Sequence, residues 1–359
     1  MIFLTLLIIP LLIAVISFIF LKGITWKEFL LLIGAVVLIV GISSAICYYN
    51  NLYYNEIWNG QVVSKDKEEV HCRHSYSCNC RIVTSGSGKN QTTTTHCDTC
   101  YEHRYDYDYV VRDNTGHSYD INTVDRQGLI TPPRFETVEI GEPTAHVSSY
   151  KNYLKASSDS LFRKDFDNEK YKGKLPEYPN IIYDYYRLNR IVTTNFTLEN
   201  KQHWDNILSD INGKLGKKKQ ANIILVITKN QSQDYMQALD QYWKGGNKND
   251  AIIVLNIDTN NKIEWVEVLA LVKDDMFKIQ LRDGLTNIET LNMEKIMPEI
   301  ENCVSKYFVR KRMREFEYLT YAVTPSMTQY IVSLVLCLLV TIVLIVFFEE
   351  DNTFEGDSQ

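Results

Sequence analysis

The sequence predicts an α+β membrane protein with three transmembrane helices, an antiparallel β module carrying a cysteine cluster, and an α/β sandwich. Three observations predict it. Long uncharged apolar stretches lie near both ends of the 359 residues, segments rich in β-branched and aromatic residues fill 55 to 140, and the pattern changes at 200 to helical stripes alternating with continuous apolar runs.

The apolar stretches come first in the chain. Residues 2–20, "IFLTLLIIPLLIAVISFIF", carry no charge and are long enough to cross a hydrocarbon core of roughly 30 Å as a helix. A cleaved signal peptide is the alternative, but the basic n-region and small-residue cleavage site of such a peptide are missing. A second span is expected at 29–48 and a third at 330–348. Residues 1–49 then form a helical hairpin that leaves the body on the same side as the N-terminus. After 317–348, which holds the last span and its lead-in, the acidic tail 349–359 emerges on the other side. Lys22 and Lys27 in the hairpin loop favour a cytoplasmic loop, whereas "RKRMR", 310–314, and the acidic tail argue the reverse. Charges on a long folded domain weigh less, so an extracytoplasmic body with a cytoplasmic tail is favoured. A net charge of −6 supplies no basic field for nucleic acid, which is not expected as a partner.

Residues 50–143 read as the antiparallel β module. "EIWNGQVVS", "YDYDYVVRD" and "HSYDINTVD" are strands, the last two joined by the turn "DNTG" at 113–116. Pro132, Pro133 and Pro143 lead out of the module, and 144–199 is expected to be a connector with some helix. From 200 to 316, Trp204, Ile207, Leu208, Ile211 and Leu215 form a helical stripe. "ANIILVIT", "DAIIVLNID" and "NKIEWVEVLAL" read as buried strands. Between the first two, Ser232 is expected to cap a helix that Gly245 and Gly246 stop. A further helix is expected from about Met293 to Phe316.

The order strand, helix ending in Trp plus glycine, and loop ending in Asp before a strand, in "ANIILVIT" and "DYMQALDQYWKGGNKNDAIIVLNID", resembles the TPM domain. That family comprises membrane-attached α/β domains, usually held extracytoplasmically before a transmembrane helix. Asn249, Asp250 and Ala251 stand where members commonly have Asp-Asn-Gly. The resemblance implies a divalent cation, and phosphatase activity has been ascribed to some members. The first half, with "CDTCYEH" and "DRQG" followed by "PPR", resembles uncharacterised membrane proteins of bacteria and tailed phages, which implies a bacterial cell membrane as location.

The chemistry-bearing residues cluster in "HCRHSYSCNCR", 71–81, and "HCDTCYEH", 96–103. On a regular strand Cys78 and Cys80 face the same side, and Cys97 and Cys100 have the CxxC spacing of a metal knuckle. Opposed strands would then present four thiolates to a structural zinc. Cys72, His71, His74, His96 and His103 are reserve ligands or hydrogen-bonding partners. Disulfides remain the competing reading, since thiols outside the cytoplasm oxidise, although five clustered cysteines leave one over unless remote Cys303 supplies the sixth. A redox CxxC is the third reading, without the helix start that would activate it. "SGSGKNQT", 85–92, has Asn90 where a phosphate loop needs Ser or Thr after the lysine, so it reads as a flexible tip. "DYD", 106–108, and "DFD", 165–167, read as exposed faces.

In an α/β sandwich the loops at the carboxyl ends of strands tend to carry the site. Asp258 with Asp274 or Asp275, and Asp250 at the start of its strand, are therefore candidates for a hard cation, Ca²⁺ or Mg²⁺. No convergent acid, base and nucleophile can be named. The expected function is a non-enzymatic, membrane-anchored interaction or scaffold protein whose partners are the lipid bilayer and another protein; the alternative is a TPM-like metal-dependent phosphohydrolase at the membrane surface.

Overall fold

The computed structural model describes residues 2–20, 24–85, 92–157 and 169–351. The Gly/Ser tip at 86–91, Lys22, the acidic pair of 165–167 and tail residues 352–359 lie outside the described residues.

The chain opens with α1 (Ile2–Phe20) and α2 (Trp26–Leu52). Thr25 starts α2 with a capping box, its backbone N–H donating to Glu28 Oε2 at 2.7 Å while its hydroxyl oxygen accepts from the Glu28 N–H. Tyr53, the C-cap of α2, is also the first residue of β1 (Tyr53–His71). The first half of β1 pairs with β6 and the second half with β4, giving an antiparallel sheet in the order β5-β4-β1-β6. β4 is Tyr105–Asp113, β5 is Ser118–Ile121 and β6 is Pro143–Lys151, with a one-turn helix α3 (Pro133–Thr137) before β6. Between β1 and β4 the chain makes a separate two-stranded hairpin, β2 (Ser75–Ser85) with β3 (Thr92–Tyr101).

The expected connector 144–199 corrects in two places. It begins within an edge strand of the first sheet, β6, and after α4 (Tyr153–Ala156) it supplies an edge strand of the second sheet, β7 (Ile191–Thr194). Pro143 opens β6, where a missing N–H is tolerated.

The second sheet has the order β10-β9-β8-β7. β7, β8 (Asn222–Lys229) and β9 (Asp250–Ile257) run parallel, and β10 (Ile263–Ala270) returns antiparallel to β9. Alternate strand residues face opposite layers. Ile223, Leu225, Ala251, Ile253 and Leu255 pack under α5 (Lys201–Lys219), α7 (Met276–Thr286) and α8 (Met293–Tyr307). Ile224, Val226, Ile252 and Val254 pack against α6 (Asp234–Tyr242), Tyr171 and Trp243. Helices thus cover both faces, as a parallel sheet requires. The cap of α6 is Gln233 rather than Ser232, and the expected helix to Phe316 stops at Tyr307, followed by a 3-10 helix over Met313–Ala322.

The two sheets meet at a polar seam. Asn59 of β1 donates through Nδ2 to the Ala221 carbonyl at 3.0 Å, and Asn249 Nδ2 donates to the Ile57 carbonyl at 2.7 Å. Helix α5 lies directly on β1 because Gly213 and Gly216 have no side chain: a Cβ on Gly213 would stand 2.9 Å from the Gly60 carbonyl oxygen, and one on Gly216 would overlap the Asn59 carbonyl.

The last helix, α9 (Met327–Asp351), runs antiparallel to α2. Asn51 Nδ2 donates to the Thr324 carbonyl and to Gln329 Oε1, both at 3.0 Å. Val40 packs on Cys337 midway, and Leu32 shares a cluster with Ala14, Ile345 and Phe348 at the far end. Trp26–Leu52 and Met327–Phe348 are long and apolar enough to cross a membrane; the first helix contributes a shorter apolar stretch, Ile8–Phe20, so two of the three expected spans reach that length among the described residues.

Gly216→Ala tests the seam. On an exposed helix the change would stabilise by up to about 1 kcal/mol; here it is expected to destabilise by roughly 1–3 kcal/mol through overpacking. Thermal unfolding of the full chain in detergent reads it, with Lys217→Ala as the exposed control in the same helix. A melting temperature at or above the wild type would show that α5 does not bear on β1.

Candidate metal centre

Strands β1 and β4 stay in register to the pair His71 and Tyr105, and β2 and β3 begin at Ser75 and Tyr101. The two ladders therefore form one long antiparallel arm, broken by the three residues 72–74 on one strand and 102–104 on the other. The Glu102 N–H donates to the His74 carbonyl at 3.0 Å across the break. Backbone that leaves a ladder needs other partners, and here side chains supply them.

Four donor groups converge at this break: Cys72, His74, His103 and Asp106, their ligand atoms all within 4.8 Å of one another. Cys72 Sγ lies 4.0 Å from His74 Nδ1 and 3.8 Å from His103 Nδ1. The two Asp106 oxygens divide between the histidines, Oδ2 at 3.1 Å from His74 Nδ1 and Oδ1 at 3.2 Å from His103 Nδ1. Donors bound to a tetrahedral zinc stand roughly 3.3 to 3.6 Å apart for these atom types; the four separations above are within about half an ångström of that, and the group as a whole spans no more than 4.8 Å. Cys72 is 1 % exposed, and the imidazoles keep about a quarter of their surface.

The surroundings suit a thiolate and a carboxylate. The His74 N–H donates to Cys72 Sγ at 3.4 Å, and the Arg73 N–H donates to Asp106 Oδ2 at 3.0 Å. That Arg73 hydrogen bond is the main reason the Asp106 carboxyl is held below its ordinary range, with Cys72, His103 and His74 adding to it. One thiolate, one carboxylate and two neutral imidazoles sum to a charge that a divalent cation cancels. Four protein donors fill a tetrahedron, which is the pattern of a structural rather than a catalytic zinc site.

The four cysteines expected to share a zinc are instead joined in pairs, Cys78 with Cys100 and Cys80 with Cys97. The reason is local. Strand pairing is regular to Cys78 opposite Asp98 and then shifts to Arg81 opposite His96, with Asn79 in the left-handed region at φ 46°. That bulge breaks the alternation on which a shared face for Cys78 and Cys80 depends. A sulfur in a disulfide is no longer a thiolate ligand. Cys72 is the cysteine left over, and Cys303 is buried in α8 within the α/β core. The reserve ligands Cys72, His74 and His103 thus come together, while His71 stacks edge-on against Tyr101. Asp106, read from sequence as part of an exposed face, is buried.

The aspartates of the α/β region do not converge. Because β10 runs back along β9, Asp258 lies at one end of that strand pair and Asp274 and Asp275 beyond the other. Each serves its own turn: Asp258 Oδ1 accepts from the N–H groups of Asn260 and Lys262, Asp274 Oδ1 from that of Met276, and Asp275 pairs with Lys278 at 2.9 Å. Asp250 is buried at the start of β9. It accepts from Asn222 Nδ2 at 2.9 Å, Tyr178 OH at 2.8 Å and the Asn247 N–H at 2.6 Å, and burial lifts its carboxyl to about 6. Its partners are the seam residues, not other carboxylates.

No protein-family model, curated protein or solved structure matches this chain.

Zinc uptake tests the centre. The full chain in detergent, stripped with chelator but not reduced, is expected to take up one Zn²⁺ in competition with a chromophoric chelator. Cys72→Ser and His103→Ala should each weaken uptake by tenfold or more, while the disulfides stay intact by mass. Uptake by Cys72→Ser equal to that of the wild type would remove this residue from the site.

Proposed function

We propose that the chain is a membrane-anchored, non-enzymatic interaction protein that holds a stapled β arm away from the bilayer, with zinc at the base of the arm as a structural clamp. The observation that carries this reading is the β2–β3 hairpin itself. Two strands alone are marginal in water, and these bury almost nothing: Tyr76, Ile82, Val83 and Tyr101 are all exposed. The Cys78–Cys100 and Cys80–Cys97 bridges give it the rigidity that a core would otherwise supply. Two open edges and exposed aromatic and branched side chains suit pairing with an extended segment of another protein.

Anchoring through α1, α2 and α9 is part of the same proposal. Large side chains on these helices, among them Ile16, Phe20, Leu38, Ile42, Leu339 and Val343, point out of the molecule, where only lipid would cover them without cost. The body leaves from the Leu52 and Met327 ends of its two long helices, so it lies on one side of the bilayer. An extracytoplasmic body is supported by the two disulfides. It gains further support from Arg310, whose guanidinium is bound in a buried pair with Glu56 at 2.9 Å and so weighs little as a topological charge. The TPM-like reading of 200–316 remains part of the proposal on the strength of its strand and helix order. A hydrolytic role for it has no pair of converging carboxylates to draw on.

A photo-crosslinking residue at Ile82, in the full chain in its native membrane, is expected to give a discrete protein adduct that the same residue at Asn260, on the exposed β9–β10 turn, does not. Identical adduct profiles at the two positions would overturn the interaction reading. A reporter fused after Gln359 should report a cytoplasmic location; activity on the opposite side would invert the topology while leaving the arm proposal standing.

A further inference from the structure

A cavity of about 700 Å³ lies away from the arm. Five separate segments wall it: Trp58 of β1, the end of α5, Lys248 in the loop before β9, Lys273 after β10, and the strand-like stretch that follows α8. Seven of its twelve lining residues are Lys or Arg and none is acidic, in a chain whose net charge is −6. Such a concentration of one sign in a concave, partly enclosed space focuses potential onto an anion.

A simpler account covers only part of it. Lysines in the last turn of α5 complement the carbonyl end of that helix, and Lys219 Nζ donates to the Phe308 carbonyl at 3.2 Å. The helix end does not explain why Lys248, Lys273, Lys311 and Arg312 arrive at the same space from three other segments. The acids nearby are already committed. Glu56 is held by Arg310, by Trp58 Nε1 at 2.7 Å and by Lys248 at 3.6 Å; Asp275 bonds Lys278; Glu315 accepts from the Arg312 N–H at 3.2 Å. Among the described residues Lys218 and Lys273 face no carboxylate partner. Burial also lowers the Lys248 ammonium from its ordinary range, a cost that a bound anion would relieve.

We infer that this cavity is a binding site for a phosphate-bearing anion with two or more negative charges. Its volume suits a phosphorylated small molecule or headgroup, and several ammonium groups with the Arg312 guanidinium among the lining match clustered phosphate oxygens. Met313, on its rim, begins the 3-10 helix that packs with Leu52 and Tyr153 at the end of α2, so an anionic lipid headgroup and a free phosphorylated molecule can both supply that chemistry.

Two arms distinguish the sources. The full chain is titrated with inorganic pyrophosphate in neutral detergent, and its melting temperature is compared in nanodiscs of phosphatidylcholine and of phosphatidylcholine with phosphatidylglycerol. Saturable stabilisation in the first arm assigns a free ligand, and stabilisation by the anionic lipid alone assigns a headgroup. Either response should fall tenfold or more in apparent affinity in the Lys218→Gln, Lys273→Gln double variant, persist with arginine at both positions, and weaken with added salt. Both lysines are exposed, so the variants are expected to fold, and an unchanged melting temperature without ligand checks this. No stabilisation in either arm, or an equal response in the glutamine variant, would overturn the site.

Discussion

The guanidinium of Arg190 is buried in the seam between the two sheets, and the docking of every other part follows from how it is satisfied. It donates to Asn59 Oδ1 on β1, to Asn222 Oδ1 at the start of β8 at 2.8 Å, and to the Leu188 carbonyl at 3.1 Å. Burial pushes its pKa down to about 10, which still leaves it charged at neutral pH. A buried cation stripped of its partners costs about 3–5 kcal/mol, so any slip of one sheet against the other is opposed by more than lost packing. Asn222 then passes the constraint on, bonding Asp250, which Tyr178 and Asn247 complete. Apolar layers could pack in several registers; this network accepts one.

Fixing β1 at Asn59 has a mechanical consequence. The strand continues from α2 without a linker and is 19 residues long, a reach of roughly 60 Å at about 3.3 Å per residue. The arm base at Cys72 is thus carried far from the helix that anchors it, by a strand clamped near its start and braced by β4 and β6. The basic cavity, floored by Trp58 of the same strand, sits only five residues past Tyr53. One strand thereby separates a surface near the Leu52 end of α2 from a surface distant from it.

Much of this was legible in the sequence where pattern and burial coincide. β8 and β9 are buried on both faces and read as unbroken apolar runs, and β4 appears as the segment "YDYDYVVRD" that the residue types predict. The edge strands β6 and β7 were not legible, because a strand half covered and only four or nine residues long carries little alternation. Spacing alone misassigned the cysteines: the bulge at Asn79 that turns Cys80 toward Cys97 leaves no mark in a count of residues between thiols. Cys72, His74 and His103 stood in the right stretch, but Asp106 was hidden in an acidic, Tyr-rich segment that reads as a solvated face. Only the register of β1 against β4 places it opposite Val70 and beneath the break.

Disulfides and the proposed metal clamp in one arm would meet different needs. The bridges lie within the β2–β3 ladder, where strands are already opposed and a covalent link limits the unfolded alternatives. The break at 72–74 and 102–104 has no ladder to reinforce, and a single bridge there would fix one pair of positions while leaving the two ladders free to swivel about it. A cation held by Cys72 and His74 from one side of the break, and His103 and Asp106 from the other, would fix the angle as well as the distance. A bound cation would also give the leftover thiol a use that opposes oxidation, since the buried Cys72 sulfur, which accepts from the His74 N–H, would be shared with it. The arm's direction relative to the sheet would then be set at its base, while its shape is set by the two bridges beyond.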